Sequence, residues 1–241
     1  MKRNVIVGQS GGPTAAINSS LAGVYRTAKD RGANKVYGML HGVQGLLDEQ
    51  YVDLSTQIHS DIDIELLKRT PSAFLGSCRY KLPEIHENPE IYEKLFEIMD
   101  KLDIETFIYI GGNDSMDTIK KLSDYAIVKG HSQKFLGVPK TIDNDLALTD
   151  HTPGFGSAAK YIAASTKEII RDALGLTYNK EMITIIEVMG RNAGWLTGAT
   201  ALAKTEECEG PDAIYLPESV FDIDKFLQTV KNLLEKKKSI V

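Results

Sequence analysis

The chain has 241 residues, which is enough for one large α/β domain or two small ones. Its composition, 42% hydrophobic and 25% charged, is that of a globular protein, and no apolar run approaches the roughly 18 residues of a membrane-spanning helix. The net charge of −5 gives no general attraction for nucleic acid or an anionic membrane, so an anionic ligand must be held by local basic side chains and backbone amides. The only two cysteines, Cys78 and Cys208, have no metal-binding spacing, and the first residues lack the apolar region of a signal peptide. We therefore expect a cytoplasmic protein.

Short β-branched runs alternate along the chain with longer segments of helical periodicity. The predicted strands are residues 4–8, 35–39, 106–110, 134–137, 182–187 and 213–216. The predicted helices are residues 15–30, 89–102, 116–128, 156–174, 193–203 and 223–236. This alternation predicts an α/β fold with a doubly wound parallel sheet, in which ligands bind beyond the carboxyl ends of the strands. We expect two lobes, residues 1–150 and residues 151–241.

The last residues contain an apolar helical stripe that is followed by three lysines and a short apolar run. The lysines at 236–238 suit the negative end of a helix dipole, and residues 239–241 have the composition of a strand. A frayed tail is the alternative interpretation. We favour the first step of a further strand, and we expect the second lobe to be incomplete.

The first cluster with chemical potential is the glycine loop, GQSGGPT at residues 8–14, which follows the first predicted strand. Small residues let backbone N–H groups approach a phosphate, and the amino end of the next helix favours negative charge. The loop is neither G-x-G-x-x-G nor a Walker loop. It also matches G-x-S-x-G with Ser10 as nucleophile, but only one strand precedes it to supply an oxyanion hole. A phosphate cradle is the favoured interpretation, and a plain tight turn is the alternative.

The second cluster is the second glycine turn, GGNDS at residues 111–115, again between an apolar strand and a helix. Its glycines permit close backbone approach, and the oxygens of Asn113 and Asp114 are suited to Mg²⁺ or to hydrogen bonds. The alternative is structural, with Asp114 or Ser115 capping the helix.

The third cluster is the acidic loop, PKTIDND at residues 139–145. Asp143 and Asp145 are two residues apart, so in an extended loop their side chains point to the same side. Two carboxylates beside Lys140 could hold a metal, take a proton from a hydroxyl and neutralise a transferring phosphoryl group. A solvated turn stabilised by aspartate or asparagine side chains is the alternative.

The fourth cluster is the arginine turn, MGRNAGW at residues 189–195, which follows a predicted strand. An arginine at a strand end, here Arg191, can clamp a phosphate or polarise a reacting oxygen. Taken alone, such an arginine is more often a surface residue.

These clusters in this order are far more specific than any one of them. With the arginine segment GSCR at residues 76–79, they resemble the phosphofructokinase family over essentially the whole chain. The resemblance implies two α/β lobes with the active site between them. It implies reversible phosphoryl transfer, with Mg²⁺, from a phosphoryl donor to the 1-hydroxyl of fructose 6-phosphate.

The resemblance also implies a role for individual residues. Asp143 is expected to be the general base on the sugar's 1-hydroxyl, with Lys140 and Arg191 as further catalytic residues. The expected fructose 6-phosphate contacts are Thr141, Asp143, Met189, Gly190 and Arg191. The expected donor-binding residues are Gly11, Gly12, Arg79, Asp114 and Ser115. The expected magnesium ligands are Asn113 and Asp145.

Two positions indicate which donor is used. ATP-using members carry glycine where this chain has Asp114 and Lys140. An aspartate at 114 is expected to exclude a nucleotide's α-phosphate by bulk and like charge, and Lys140 supplies positive charge to the departing phosphate. Both positions fit the pyrophosphate-dependent branch, whose reaction forms fructose 1,6-bisphosphate and phosphate in glycolysis.

The chain also departs from the family pattern. Asn113 stands where many members have a magnesium-linked aspartate, and Met182 stands where bacterial ATP enzymes have an arginine that reaches the neighbouring subunit's sugar phosphate. The family's further carboxylate, and the histidine and arginines that grip the 6-phosphate, have no counterpart before Val241. We therefore expect the 241-residue chain alone to be inactive or nearly so.

Two other functions stay open at this point. One is an ATP-dependent 6-phosphofructokinase, and the other is a non-catalytic fragment or subunit that binds phosphates or a partner. We expect a homo-oligomer when the protein is complete, with fructose 6-phosphate and pyrophosphate as ligands and no nucleic acid or membrane partner.

Overall fold

A computed structural model of the protein describes residues 4–14 and 16–241. The chain divides into two compact units, Met1–Lys140 and Thr141–Val241. The first predicted helix began at Ala15, which lies outside the described residues. None of the helices in the described part combines the length and apolarity that a bilayer span requires.

The first unit is a five-stranded sheet with helices on both faces. Its strands are β1 (Asn4–Gln9), β2 (Val36–Met39), β3 (Tyr51–Asp53), β4 (Ile104–Gly111) and β5 (Lys134–Pro139). Its α-helices are α1 (Ile17–Asp30), α2 (Gly42–Leu47), α3 (Asp61–Arg69), α4 (Pro89–Lys101) and α5 (Asn113–Lys129), with a 3₁₀ turn at Leu54–Thr56. The strand order is β3-β2-β1-β4-β5, and every neighbouring pair is parallel except β2 with β3. The predicted doubly wound α/β fold is confirmed, with one antiparallel edge strand added.

The sequence patterns missed three elements of this unit. Strand β3 has only three residues, too few to show alternation, and it exists because it pairs with β2. Helix α2 contains two glycines, which disfavour helix, but its residues Gly42, Val43, Gly45 and Leu46 are buried by tertiary packing. Helix α3 begins with a capping box in which Ser60 and Asp63 exchange hydrogen bonds.

Alternation along the strands divides the core into two clusters. Ile6 packs with residues of α2, α4 and α5, whereas the next residue, Val7, packs with residues of α1 and α3. Successive side chains of a strand point to opposite faces, so each face of the sheet buries its own apolar set. The carboxyl ends of β1, β4 and β5 are neighbours, because Gln9 pairs with Ile110 and Gly111 pairs with Pro139.

Most of the regular elements of the second unit are helices. Its elements are α6 (Phe155–Gly175), β6 (Met182–Ile183), α7 (Trp195–Ala199), a 3₁₀ turn (Thr200–Ala203), α8 (Ile223–Leu234) and β7 (Ser239–Ile240). Strands β6 and β7 form a parallel pair, so the strand expected at residues 239–241 is confirmed.

Two of the strands predicted in this unit were wrong: one is shorter than predicted, and the other does not form. The strand predicted at residues 182–187 pairs only over β6, and residues 213–216 form no strand. Next to that segment, the Asp212 N–H donates to the Val241 carbonyl oxygen at 2.7 Å. A β-branched run forms a strand only where a partner strand completes its hydrogen bonds. Among the described residues, β7 pairs with two residues of the first run, and no strand pairs with the second run.

Candidate active site

Three strand ends bring the glycine loop, the second glycine turn and Lys140 together in the first unit. The Ser10 N–H donates to the Ile110 carbonyl oxygen, and the Lys140 N–H donates to the Gly111 carbonyl oxygen, both at 2.9 Å. Parallel strands end at the same edge of a sheet, so residues as far apart in the chain as Ser10 and Ile110 become neighbours here.

The Ser10 hydroxyl lies 2.6 Å from the Ser115 hydroxyl, and both residues are buried. A nucleophilic serine needs a base within hydrogen-bonding distance. The observed partner of Ser10 is another hydroxyl, which instead ties the glycine loop to the second glycine turn. The contact gives the hydrolase interpretation of G-x-S-x-G no support.

The glycine loop turns over the side chain of Lys140. Gly11 has φ +76°, and a β-carbon built on it would lie 3.3 Å from Lys140 Nζ. Lys140 is 7% exposed, and its ammonium donates to the Gly12 carbonyl oxygen. A positive charge is thus held directly under a loop of small residues.

The arginine segment packs against the same loop. The Gly11 N–H donates to the Cys78 carbonyl oxygen at 2.9 Å, and the Ser77 hydroxyl donates to the Gly11 carbonyl oxygen. Arg79 is exposed, and its Nη2 lies 3.9 Å from the position of a β-carbon on Gly12. Lys140 and Arg79 therefore put two cations beside one glycine loop, an arrangement suited to an anion with several phosphate oxygens.

The second glycine turn opens helix α5. Its N-cap is Gly112, with no side chain capping the helix, so neither Asp114 nor Ser115 serves as the cap. Asn113 and Asp114 are exposed in the first helical turn. The Asp114 carboxylate therefore lies in solvent at the positive end of a 17-residue helix.

A buried tyrosine supports the loops from below, and sequence reasoning did not identify it. The Val43 N–H donates to the Tyr109 hydroxyl at 3.2 Å, and Cys78 Sγ lies 3.5 Å from the same oxygen. Burial raises the pKa of Tyr109, with the neighbouring Cys78 adding to the shift, so the phenol stays protonated. The only available signal was a polar aromatic residue in the middle of the apolar strand β4.

In the second unit, residues 141–145 of the acidic loop are held by hydrogen bonds among themselves and with residues 150–152. The Asp143 N–H donates to Thr141 Oγ1 at 3.0 Å, and the Thr152 hydroxyl donates to the Thr141 carbonyl oxygen at 2.6 Å. Asn144 is buried with φ 58°; its Oδ1 accepts from the Thr152 N–H at 2.8 Å and its Nδ2 donates to the Asp150 carbonyl oxygen at 3.1 Å. The loop is therefore a defined turn rather than a solvated one.

The two aspartates of this loop flank the buried Asn144. Both are half-buried. Asp145 Oδ1 is inaccessible to solvent and has no hydrogen-bond partner among the described residues. Burial of an unbonded carboxylate oxygen is costly, so this atom is suited to a further ligand such as a cation.

The arginine turn lies in the same unit, between β6 and α7. Gly190 has φ +125°, and a β-carbon on it would come within 2.4 Å of the Ala193 carbonyl oxygen. Met189 and Arg191 are exposed on either side of it. The turn therefore requires glycine and presents both flanking side chains to solvent.

The residues expected to bind magnesium lie in different units, Asn113 in the first and Asp145 in the second. Within residues 4–14 and 16–241, no group of three or more His, Cys, Asp or Glu side chains is arranged to hold a metal. Asn113 and Asp145 each offer oxygen to a cation. Mg²⁺ usually takes one or two carboxylates and completes its shell with water and substrate phosphates. Each of these residues, taken by itself, therefore suits a Mg²⁺ ion that completes its shell with water and phosphate oxygens.

Comparison with known proteins identifies the family. The phosphofructokinase family model matches residues 4–241, nearly the whole chain. The chain belongs to the phosphofructokinase family.

Several relatives of this family carry pyrophosphate in their names. The pyrophosphate–fructose 6-phosphate 1-phosphotransferase of Xanthomonas campestris pv. campestris is 43% identical over 233 residues, 97% of this chain and 55% of the relative. The enzyme of the same name from Methylococcus capsulatus is 44% identical over 95% of this chain and 54% of the relative. The crystal structure of the pyrophosphate-dependent phosphofructokinase from Nitrosospira multiformis superimposes with a TM-score of 0.86 at 41% identity, covering 100% of this chain and 60% of that one. The chain thus spans little more than half the length of the relatives it matches.

Proposed function

We propose that this chain provides donor-binding and sugar-binding residues for reversible transfer of a phosphoryl group from pyrophosphate to the 1-hydroxyl of fructose 6-phosphate. The observation that carries the proposal is the Lys140 ammonium held under Gly11 and Gly12, with the Arg79 guanidinium at the same loop. The names of the relatives at 41–44% identity support the same reaction. The products are fructose 1,6-bisphosphate and phosphate.

Pyrophosphate is the proposed donor because of the charges at the loop. The exposed carboxylate of Asp114 stands in the first turn of α5, and Lys140 brings a cation to the glycine loop. A nucleotide must place a third phosphate and a ribose beside these groups, where an added carboxylate repels it. Pyrophosphate has only two phosphates, and these require only the contacts with the cationic side chains of Lys140 and Arg79. Residues 1–150 form the proposed donor-binding lobe, which includes Ser115.

Residues 151–241 are proposed as part of the sugar-binding lobe, together with the end of the acidic loop. Asp143 takes the proton of the attacking 1-hydroxyl, which contributes on the order of 10²–10⁴ in rate for a positioned base. Thr141, Met189 and Gly190 bind the sugar phosphate, and Arg191 offsets negative charge near the reacting oxygen.

Magnesium is proposed to be held by Asp145 and, more weakly, by the neutral side chain of Asn113. When bound, Mg²⁺ neutralises charge on the pyrophosphate oxygens. The buried Oδ1 of Asp145 is the observation that favours this ligand. A cytoplasmic location and a homo-oligomeric state stay predictions.

The donor assignment is tested by measuring both donors on one preparation of the 241-residue chain. Calorimetry gives the affinity for pyrophosphate and for ATP in the presence of Mg²⁺, and a coupled assay gives phosphoryl transfer to fructose 6-phosphate. We expect pyrophosphate to bind at least tenfold more tightly than ATP, since a charge-assisted contact is worth that factor or more. The double variant Asp114→Gly with Lys140→Gly should weaken pyrophosphate binding and strengthen ATP binding.

A matched control is Asp124→Gly, which removes an exposed aspartate from the middle of the same helix. It matches the Asp114→Gly half of the double variant in charge change and in placing a glycine in the helix, and it should leave the donor preference unchanged. An affinity or kcat/KM for ATP equal to or above that for pyrophosphate in the parent chain would remove the donor assignment. Since the 241-residue chain alone is expected to be inactive or nearly so, the two affinities decide the donor assignment. Binding of neither donor would contradict the proposal that this chain holds the phosphoryl donor.

A further inference from the structure

Two side-chain amides lie completely buried beneath the donor site. Gln9 is the last residue of β1 and Asn18 is the second residue of α1, and both are 0% exposed. Gln9 Nε2 donates to Asn18 Oδ1 at 2.9 Å and to the Ile17 carbonyl oxygen at 3.3 Å. The amides thus bond to each other across the glycine loop that separates β1 from α1.

Their remaining hydrogen bonds all reach one irregular segment of backbone. The Leu75 N–H donates to Gln9 Oε1 and the Phe74 N–H donates to Asn18 Oδ1, each at 2.9 Å. Asn18 Nδ2 donates to the Thr70 carbonyl oxygen at 2.8 Å. Residues 70–88 contain neither helix nor strand, so buried backbone groups there depend on side chains for their partners.

This irregular segment leads directly into the arginine segment. Three residues after Leu75, the Cys78 carbonyl accepts from the Gly11 N–H, and the Arg79 guanidinium then lies beside Gly12. The glycine loop is therefore connected to the backbone before Arg79 through the amides, and to the backbone next to Arg79 directly. Moving the irregular segment would move Arg79 relative to the glycine loop.

A buried side-chain amide stabilises a protein only when its hydrogen bonds are made, so a buried pair of amides indicates a positional role. Each buried polar group costs free energy unless it is fully hydrogen-bonded, and apolar residues of similar size would pack without that requirement. Here every amide atom with a described contact either joins the pair or binds backbone. We propose that the Gln9–Asn18 pair is a positioning device that sets Arg79 against Gly11 and Gly12, and so determines the affinity for pyrophosphate. This inference rests on the proposed function.

The test is a double-mutant cycle between Asn18→Ala and Arg79→Ala in the 241-residue chain, with pyrophosphate and Mg²⁺ as the calorimetric probe. Asn18→Ala should weaken pyrophosphate binding roughly tenfold, as loss of a charge-assisted contact does. In the Arg79→Ala background the same substitution should have little further effect, because coupled residues are not additive. A merely structural role would leave the two effects additive.

The matched control is Asn4→Ala at the opposite end of β1. Asn4 is also buried, and it also makes two bonds to backbone, from the Lys35 N–H and to the Leu102 carbonyl oxygen. Asn4→Ala should lower the free energy of unfolding in urea about as much as Asn18→Ala does, without changing the affinity for pyrophosphate. If Asn18→Ala does not fold, Gln9→Met replaces it, since methionine keeps the length and removes both polar groups.

The outcomes separate the two proposals. Failure of the parent chain to bind pyrophosphate, or binding unchanged by Arg79→Ala, overturns the donor site and this inference with it. Binding that is weakened by Arg79→Ala but not by Asn18→Ala or Gln9→Met overturns the positioning role alone. So does an equal loss from Asn4→Ala.

Discussion

Asn144 shows how one side chain can define the shape of a loop that carries proposed catalytic groups. Its backbone has φ 58°, a region that asparagine and glycine tolerate better than other residues, and its amide bonds two backbone groups of the following turn. Asp143 and Asp145 lie on either side of it. Their separation is therefore set by a residue that need not touch a substrate.

We predict that Asn144→Ala lowers the free energy of unfolding of the second unit by about 2–4 kcal/mol. The variant would have a strained left-handed backbone and would leave two buried groups unpaired. Asn144→Gly relieves the strain but not the lost bonds, so it should be less destabilising by about 1 kcal/mol. Urea unfolding gives both values, and hydrogen exchange at the Thr152 amide reports the lost bond. Wild-type protection of that amide in Asn144→Ala would contradict this account.

Turns between elements decide where the exposed side chains of the second unit stand. The arginine turn can follow its path only because Gly190 has no side chain, whereas Gly198 inside α7 has open space around it. The two glycines are eight residues apart, but only the site of Gly190 lacks room for a side chain.

We therefore predict that replacing glycine by alanine has opposite effects on stability at Gly190 and at Gly198. Gly190→Ala should cost about 1–3 kcal/mol, because it meets the Ala193 carbonyl oxygen in a disfavoured backbone region. Gly198→Ala should be neutral or stabilising by up to about 1 kcal/mol, since alanine favours helix. Trp195, the only tryptophan, lies between the two sites, and its fluorescence during urea unfolding measures both. Equal stabilities of the two variants would show that the turn adapts to a side chain.

One larger feature of the first unit is an exposed apolar trough on its sheet. The connection β1–α1–β2 puts α1 on one face, and β4–α5–β5 puts α5 on the other, as right-handed crossovers require. Among the described helices of the first unit, none covers β4 and β5 on the α1 face, where a trough of about 920 Å³ lies. Its apolar lining includes Val24, Ala28, Ile108, Leu136 and Val138. Leu136 is 53% exposed on the edge strand β5.

An open apolar face next to an unpaired sheet edge promotes association. We predict that the 241-residue chain associates with rising concentration, and that Leu136→Lys shifts it towards monomer without loss of stability. The control is Ile127→Lys, which charges a more exposed apolar residue, 76% accessible, on α5. Sedimentation velocity over a range of concentrations measures the effect. Identical profiles for parent and Leu136→Lys would exclude the trough as the associating surface.

The alternation of elements, the glycine clusters after the strands and the family resemblance can all be predicted from the amino-acid sequence. These properties are encoded by adjacent residues: helix α5, predicted at residues 116–128, runs over Asn113–Lys129 because its amphipathic pattern is local. The roles of the individual site residues stay predictions of that resemblance.

Which distant groups come into contact depends on how the elements pack, and the sequence patterns did not predict it. The Lys140 ammonium reaches Gly12 across 128 residues, and Ser10 meets Ser115 across 105. The short strand β3 and the unpaired run at residues 213–216 depend in the same way on whether a distant strand is present. Gln9 and Asn18 read as ordinary polar residues until the fold buries them against the segment that carries Arg79. A pattern of neighbouring side chains encodes local conformation, whereas hydrogen-bond partners far apart in the chain are chosen by how the elements pack.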